Sequence, residues 1–240
     1  SLTAQRSFLN SNSALETAFE RLSTGKRINS ASDGAAGLAI ATELNSRVRG
    51  LNQAVRNVND GLSMVQIMEG TYDEVTSILQ RMRDMAVQAA NGSLSSTEQG
   101  YLETEQTALQ SALTDALEQA TFGSTALITA EDTSGTSLST SIDIQTGANT
   151  GDRVSLTISS ASGSNITALG ITAIDLDSAA TAAIGLADAA IGIVATQRAQ
   201  LGAYQSQLES TVRNLSNVAE NTAAAAGRIM DTDYAAETAN

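Results

Sequence analysis

A long run of apolar side chains at every third or fourth position constrains this chain more than any other feature. From Leu44 to Ala89 it advances 45 residues in 13 steps, about 3.5 residues each, which is the spacing of a coiled-coil seam. The 53 residues from Leu38 to Ala90 contain no proline, and as a straight helix they would extend roughly 80 Å at about 1.5 Å per residue. Such a helix suits an assembly subunit better than a globular enzyme core. The seam positions are Leu44, Val48, Leu51, Val55, Val58, Leu62, Val65, Met68, Tyr72, Val75, Ile78, Met82, Met85 and Ala89.

A second long helix is predicted from about Ser178 to Asp231. Seven positions spaced seven residues apart carry mostly apolar side chains, as a heptad seam requires. Burial of a large apolar side chain contributes about 1.5–3 kcal/mol, so two such seams can hold helices from opposite chain ends side by side. The positions are Ala187, Val194, Leu201, Leu208, Leu215, Thr222 and Ile229.

Local signals mark where helices begin and end. Residues 1–24 carry a short apolar stripe, and turn formers follow at 24–34, where Ser32 or Asp33 can cap the next helix. Asn91-Gly92 predicts a helix end, because glycine tolerates the left-handed conformation that is common there. Ser95 and Glu98 have capping-box spacing and predict a further helix. Its stripe is Leu102, Leu109, Leu113 and Leu117.

The centre of the chain predicts a β-hairpin. Apolar and polar residues alternate on both sides of a turn-forming loop at 146–152. Asp143 and Asp152 could in principle bind Ca²⁺, but the loop lacks the dense oxygen-ligand spacing of calcium loops, which favours a plain hairpin turn. The alternating residues are Ile142, Ile144, Val154, Leu156 and Ile158.

Composition argues against most chemistry. The chain has no Cys and no His, which removes thiol nucleophiles, imidazole bases and Cys/His metal sites, and we expect no cofactor. Its net charge is −13 and Lys26 is the only lysine, so nucleic-acid binding is disfavoured. The numerous carboxylates favour solvated surface charge over a hydrolase pair. No signal peptide or membrane span is predicted, because the apolar run 179–195 contains Asp188 and is typical of an amphipathic helix.

Four segments near the two ends of the chain carry long, specific motifs. Residues 20–40 read ERLSTGKRINSASDGAAGLAI and residues 79–91 read LQRMRDMAVQAAN. Near the C-terminus, residues 197–203 read QRAQLGA and residues 228–235 read RIMDTDYA. These segments resemble the bacterial flagellins, and the resemblance covers both ends, roughly residues 1–125 and 180–240.

The resemblance implies a mainly α fold, an elongated antiparallel helical bundle of the flagellin rod-domain type with a small β-hairpin region. Residues 1–33 correspond to a partial inner-tube helix and linker, and 231–240 to the start of the C-terminal inner-tube segment. Residues 34–125 and 179–230 correspond to the rod-domain helices, and 126–178 to the hairpin and a short variable centre. The family has further residues at both ends, so the resemblance implies a chain truncated at both termini that polymerises poorly.

The resemblance also implies a role. Flagellins are structural subunits of the bacterial flagellar filament, with no enzyme activity, exported to the cell exterior without a cleaved signal peptide. The implied partners are other copies, the flagellar cap, junction and export-chaperone proteins, and the animal Toll-like receptor that senses flagellin, with no nucleic acid and no membrane insertion. The implied contact residues for subunit stacking and for the receptor are Gln80, Arg81, Arg83, Met85, Gln88 and Glu105.

Two alternatives stay open at this point. One is the hook–filament junction protein, a flagellin relative, and the other is a surface-displayed flagellin-like protein that binds a glycan or receptor. Periodicity by itself gives Arg81, Arg83 and Asp84 a plainer interpretation, as the solvated face of a helix with Met82 and Met85 pointing inward.

Overall fold

The computed structural model describes residues 2–128, 140–158 and 180–238. These ranges contain mostly helix with two small antiparallel sheets, which confirms the predicted mainly α class. The helices are α1 (Leu2–Thr24), α2 (Ala31–Ala89), α3 (Ser96–Glu118), α4 (Ala180–Met230) and α5 (Tyr234–Glu237). The strands are β1 (Thr121–Phe122), β2 (Thr125–Ala126), β3 (Thr140–Gln145) and β4 (Arg153–Ile158).

The chain divides into two compact units. Unit 1 comprises Ser1–Val55, Gly147–Thr150 and Arg213–Asn240, and unit 2 comprises Arg56–Thr146 and Gly151–Val212. Helices α2 and α4 supply residues to both units. The predicted variable centre, about 126–178, lies largely outside the described residues.

In unit 2, helices α2 and α4 are antiparallel, and ion pairs fix their register. Arg83 of α2 contacts Asp188 of α4 at 2.6 Å, and Arg198 of α4 contacts Asp73 of α2 at 3.0 Å. Ten residues forward along α2 therefore correspond to ten residues backward along α4. Arg198 also reaches Glu69, at 2.8 Å, one turn before Asp73.

The two predicted seams form the core of unit 2. From Val58 to Ala89, every predicted seam position except Leu62 is buried. Helix α3 adds Leu113 and Leu117, both fully buried. Helix α4 adds the predicted seam positions Ala187, Val194, Leu201 and Leu208, all buried.

Three buried side chains in this core carry polar atoms with no hydrogen-bond partner. They are the Tyr72 hydroxyl, both polar atoms of the Gln106 amide and Nε2 of Gln197. Each side chain belongs to a different helix, and each is at most 2% exposed. Burial raises the pKa of Tyr72 to about 12, because the phenolate loses its hydration in an apolar surrounding.

Strands β3 and β4 form the predicted hairpin. Ile144 and Leu156 are buried while their strand neighbours point outward, as the alternating pattern predicted. The hairpin packs against α2 at Gly61, where an added Cβ would collide with Cδ1 of Ile144. Tyr204 of α4 exchanges hydrogen bonds with the backbone of Thr157, at 3.2 and 3.3 Å.

The Ca²⁺ alternative for this hairpin gains no support. The Asp143 carboxylate accepts hydrogen bonds from Arg153 and Ser155 across the strands, and these bonds lower the pKa of Asp143. Within the described ranges, no group of three or more Asp or Glu side chains could hold a metal ion.

The predicted helix ends are partly corrected. Ser95 and Glu98 form the predicted capping box, with reciprocal hydrogen bonds between side chains and backbone. Helix α2 ends where predicted, but Gly92 has no left-handed conformation. At the start of α2, the Asp33 carboxylate accepts hydrogen bonds from the N–H groups of Asn29 and Ser30, two residues that precede the helix. The two-residue strands β1 and β2 were not predicted.

Unit 1 joins the two ends of the described chain. The Arg27 N–H donates to the Met230 carbonyl at 2.6 Å, and the Thr232 N–H donates to the Gly25 carbonyl at 3.1 Å. Gly25 is left-handed, with φ of 70°, and an added Cβ would lie 2.9 Å from the Tyr234 hydroxyl. These contacts fix the turn between α1 and α2 against the turn between α4 and α5.

Helix α4 is long and apolar enough, by length and composition, to cross a membrane. The seam positions of α4 in unit 2 are instead buried, and its charged residues Asp188 and Arg198 pair with α2. Core helices pass the same composition test, so one such helix is weak evidence for a membrane span.

Candidate association surface

The last three turns of α2 present a polar face to solvent. Gln80, Arg81, Asp84, Val87 and Gln88 are exposed, and their spacing of one, three and four residues places them on one side of the helix. The neighbouring Leu79, Met82, Met85 and Ala86 are buried in the unit 2 core, which fixes the rotation of the helix.

Helix α3 completes this face. The Gln99 amide donates to the Ala89 carbonyl at 3.5 Å, and Arg81 meets Glu105, so α3 runs antiparallel to α2. Nε and Nη2 of Arg81 lie 3.1 and 2.6 Å from the same Glu105 oxygen, and both side chains remain about half exposed. The hydrogen bond and charge of Glu105 raise the pKa of Arg81. The pair holds the guanidinium in place without removing it from solvent.

Two exposed side chains on this face were not predicted. Val87 is 48% exposed and Tyr101 is 71% exposed. The α2–α3 register places them at the same level. The signal that could have found them was Tyr101 itself, an aromatic residue that stands just outside the leucine stripe of α3. We call the set Gln80, Arg81, Asp84, Val87, Gln88, Tyr101 and Glu105 the association face.

The structure separates Arg83 from the other candidates. Its guanidinium Nε contacts Asp188 of α4 at 2.6 Å, and this bond raises the pKa of Arg83. Arg81 turns instead toward α3, because residues two apart on a helix point in different directions.

Met85, which the resemblance implied as a contact residue, is buried instead. Its side chain is 1% exposed and belongs to the core, so it offers no surface to a partner. The helical period explains this position, since Met85 follows the buried Met82 by three residues and the buried Ile78 by seven. It supports the association face from beneath.

Two clefts lie in unit 1 and include none of these residues. One, of about 240 Å³, is lined by Lys26, Asn45, Met230 and Asp231 among others, and the second, of about 290 Å³, includes Asn45 and Arg49. Among the described residues, neither cleft brings a nucleophile and a base into hydrogen-bond contact. Exposed Arg and Tyr side chains, such as Arg81 and Tyr101 of the association face, are common at protein interfaces.

Long antiparallel helices with heptad seams and an exposed polar face define a helical structural subunit. Comparison with known proteins gives the family. The model of the bacterial flagellin N-terminal helical region matches residues 1–133, and that of the C-terminal helical region matches residues 184–240. The chain belongs to the bacterial flagellin family and is a structural subunit of the flagellar filament.

Individual relatives agree. A flagellin of Halalkalibacterium halodurans is 40% identical over 223 residues, which cover 92% of this chain and 79% of the relative. The flagellar filament 33 kDa core protein of Treponema phagedenis is 36% identical over 242 residues, covering 98% and 85%. The crystal structure of Bacillus cereus flagellin aligns with a TM-score of 0.56 and 27% identity, over 71% of this chain and 94% of that chain.

Proposed function

We propose that this filament subunit polymerises through two surfaces, the apolar face of α1 in unit 1 and the association face in unit 2. The observation that carries the proposal is the exposure of α1. Phe8, Leu9, Leu15 and Phe19 are 67%, 65%, 55% and 63% exposed. Neighbouring exposed apolar side chains on one helix mark an interaction site, and an isolated helix of this length needs a partner to be stable.

The proposed partner of α1 is the terminal region of neighbouring copies. Phe8, Leu15 and Phe19 are seven and four residues apart, so they line one stripe that another helix can cover. In this scheme residues 1–33 and 231–240 form parts of an inner tube. Residues 34–125 and 179–230 form the rod domain, and 126–178 form the hairpin and short centre.

The association face is proposed as the contact between copies stacked along the filament. Arg81 and Glu105 are positioned but still solvated, and Tyr101 presents a large rigid surface, features common among residues that dominate binding energy. Gln80 and Gln88 add hydrogen-bonding groups, and Arg83 lies at the edge shared with α4. Head-to-tail contacts whose rotation does not close into a ring produce an open helical filament.

A second candidate partner is the flagellin-sensing Toll-like receptor. The exposed Arg81–Glu105 pair beside Tyr101 supports it, because the same side chains can bind a receptor while the subunit is not in a filament. We also propose contacts with the cap, junction and export-chaperone proteins and export without a cleaved signal peptide, on the family's precedent.

Seeded assembly tests the α1 proposal. Labelled chain is added to filament seeds of the same protein, and the fraction that pellets with the seeds is measured. We expect Phe8→Ser and Phe19→Ser to reduce pelleting, because each removes apolar area from the contact. Ile67→Ser, which changes an exposed apolar side chain of α2 elsewhere, serves as the matched control. Equal pelleting of all variants, or none by the parent chain, would overturn the proposal.

Arg81→Ala tests the association face in the same assay and in binding to the receptor ectodomain. We expect both to weaken. Arg153→Ala is the control, because Arg153 is also an exposed arginine in an ion pair, on the hairpin. If the Arg81→Ala chain assembles and binds the receptor ectodomain as the parent chain does, the association face has neither role.

A further inference from the structure

Asn91 and Gly92 lie in the turn between α2 and α3 and form the chain's only Asn-Gly pair. Both residues are exposed. Oδ1 of Asn91 accepts a hydrogen bond from the Ser93 N–H at 3.4 Å, which folds the side-chain carbonyl over the backbone that follows. The Asn91 amide carbon is therefore held near the Gly92 nitrogen.

The Gly92 nitrogen is free to react. Its N–H donates a hydrogen bond to none of the described residues. Nothing lies within 4 Å of the place where a Gly92 Cβ would be, so the turn has room to change conformation. Glycine also lets the backbone rotate into conformations that other residues avoid.

We propose that Asn91 is a site of spontaneous deamidation, and that the product weakens self-association at the association face. The Gly92 nitrogen attacks Cγ of Asn91, the new C–N bond closes a succinimide, and Nδ2 leaves as ammonia with the proton from Gly92. Water then opens the ring to aspartate or isoaspartate. The sum is hydrolysis of one amide, with no oxidation or reduction, and asparagine is known as a thermolabile residue.

Other asparagines followed by serine are protected. Asn10, Asn12 and Asn45 each precede a serine within a helix, where regular backbone geometry keeps the following nitrogen from the side chain. Asn29 precedes Ser30 outside a helix, but the Ser30 N–H donates to the Asp33 carboxylate at 2.8 Å. Asn91, in contrast, lies in an open turn, and the N–H of the following Gly92 donates to none of the described residues.

The product changes the charge beside the association face. A new carboxylate appears two residues beyond the end of α2, where the helix dipole is already negative, so the last turn containing Gln88 is destabilised. It also adds negative charge to a chain whose net charge is −13, which increases repulsion between copies. This second part of the inference rests on the proposed function.

Mass spectrometry tests the chemistry. The full chain is aged at neutral and alkaline pH and cleaved at glutamate, and the fragment from Val75 to Glu98, in which Asn91 is the only asparagine, is weighed. We expect its mass to rise by the difference between OH and NH2, faster at alkaline pH. Gly92→Ala fits the structure without strain and should slow the gain by roughly an order of magnitude, since a side chain hinders ring closure. An unchanged fragment, or equal gain in Gly92→Ala, overturns the site.

Seeded assembly of Asn91→Asp tests the consequence. We expect it to pellet with seeds several-fold less than the parent. Asn59→Asp, at an exposed position of α2 outside both proposed surfaces, is the charge-matched control. If Asn91→Asp pellets as the parent does, the consequence is wrong although the site stands. A parent chain that never pellets would instead contradict the proposed function, and with it the consequence, while the mass measurement would still decide whether Asn91 is the site.

Discussion

Unit 1 and unit 2 share helices α2 and α4 but bury the α4 seam differently. The α4 seam is fully buried at Ala187, Val194, Leu201 and Leu208 in unit 2. It continues at the same spacing through unit 1, where Leu215, Thr222 and Ile229 are only half-buried. One sequence pattern thus produces a closed core in unit 2 and a partly open seam in unit 1. Unit 1 also carries the exposed apolar face of α1, so the apolar side chains left open to solvent are concentrated in unit 1.

The charges of the two units differ as strongly. Unit 1 contains eight Lys or Arg and eight Asp or Glu, whereas unit 2 contains five and eighteen. The whole net charge of −13 therefore belongs to unit 2. Because unit 2 has a closed core, it tolerates the repulsion among its own carboxylates. Copies that stack must also overcome the repulsion between their negatively charged units. Salt screens such repulsion over about 10 Å at 0.1 M, so assembly should be easier with added salt.

The largest expected effect breaks the closed core of unit 2. Gly61→Ala inserts a methyl group against Ile144, and overpacking of this kind costs about 1–3 kcal/mol. We expect a lower free energy of unfolding and faster amide exchange in β3 and β4, because the buried Ile144 side chain must shift from its place against α2. Denaturant unfolding and hydrogen exchange measure the two effects.

Gly70→Ala is the matched control on the same helix. Nothing lies within 4 Å of its added Cβ, so this variant should gain about 0.5–1 kcal/mol from helix propensity. If Gly61→Ala and Gly70→Ala change the free energy of unfolding equally, the hairpin contact at Gly61 does not stabilise unit 2.

The next effect concerns the unpartnered Tyr72 hydroxyl. A buried polar group without a partner costs about 1–3 kcal/mol, so Tyr72→Phe should raise the free energy of unfolding of unit 2 at neutral pH. The parent should also lose stability as the pH rises from 10 toward 12, by about 1.4 kcal/mol per pH unit, because the unfolded chain ionises this tyrosine first. The difference between the two chains in alkaline unfolding curves measures this loss. If the unfolding curves of the parent and of Tyr72→Phe stay parallel as the pH rises, the Tyr72 hydroxyl has a hydrogen-bond partner.

Much of this architecture could be predicted from the sequence, because the helical period and the capping hydrogen bonds depend only on residues a few positions apart. The α2 seam and the Ser95–Glu98 capping box follow from spacing within a few residues. The same period placed Met85 inside, whereas the family resemblance placed it at a contact surface, and the structure agrees with the period. Periodicity was the better guide for the direction of a single side chain.

Long-range choices could not be predicted. Arg81 and Arg83 have the same chemistry, yet one pairs with α3 and the other with α4, which depends on how three helices are arranged around one another. The unpartnered atoms of Gln106 and Gln197 likewise depend on what surrounds them in the core. Gly92 marks the end of α2 as predicted, but the turn to α3 closes without the left-handed conformation that glycine tolerates.

A smaller effect tests the start of α3 in unit 2. Ser95→Ala removes the capping side chain, which typically costs about 1 kcal/mol. We expect faster amide exchange in the first turn of α3 and a modest loss of stability. Ser96→Ala is the control, since Ser96 is also an exposed serine but is not the cap. Equal exchange in the two variants would show that the capping box contributes little.

The smallest effect compares the two units under acid. Hydrogen bonds from the backbone and side chain of Ser95 lower the pKa of Glu98 in unit 2, and those from Ser30 and Asn29 lower the pKa of Asp33 in unit 1. A lowered pKa means that each carboxylate stabilises its helix start above the pKa of the unfolded chain and loses that effect as the pH falls through the folded value. We expect amide exchange to accelerate at both helix starts on acidification, after correction for the intrinsic pH dependence of exchange. Glu98→Gln should remove the response at α3 only, and Asp33→Asn at α2 only. Because both groups are exposed, each response should stay local, and a loss of the whole unit on either substitution would contradict the local origin of these hydrogen bonds.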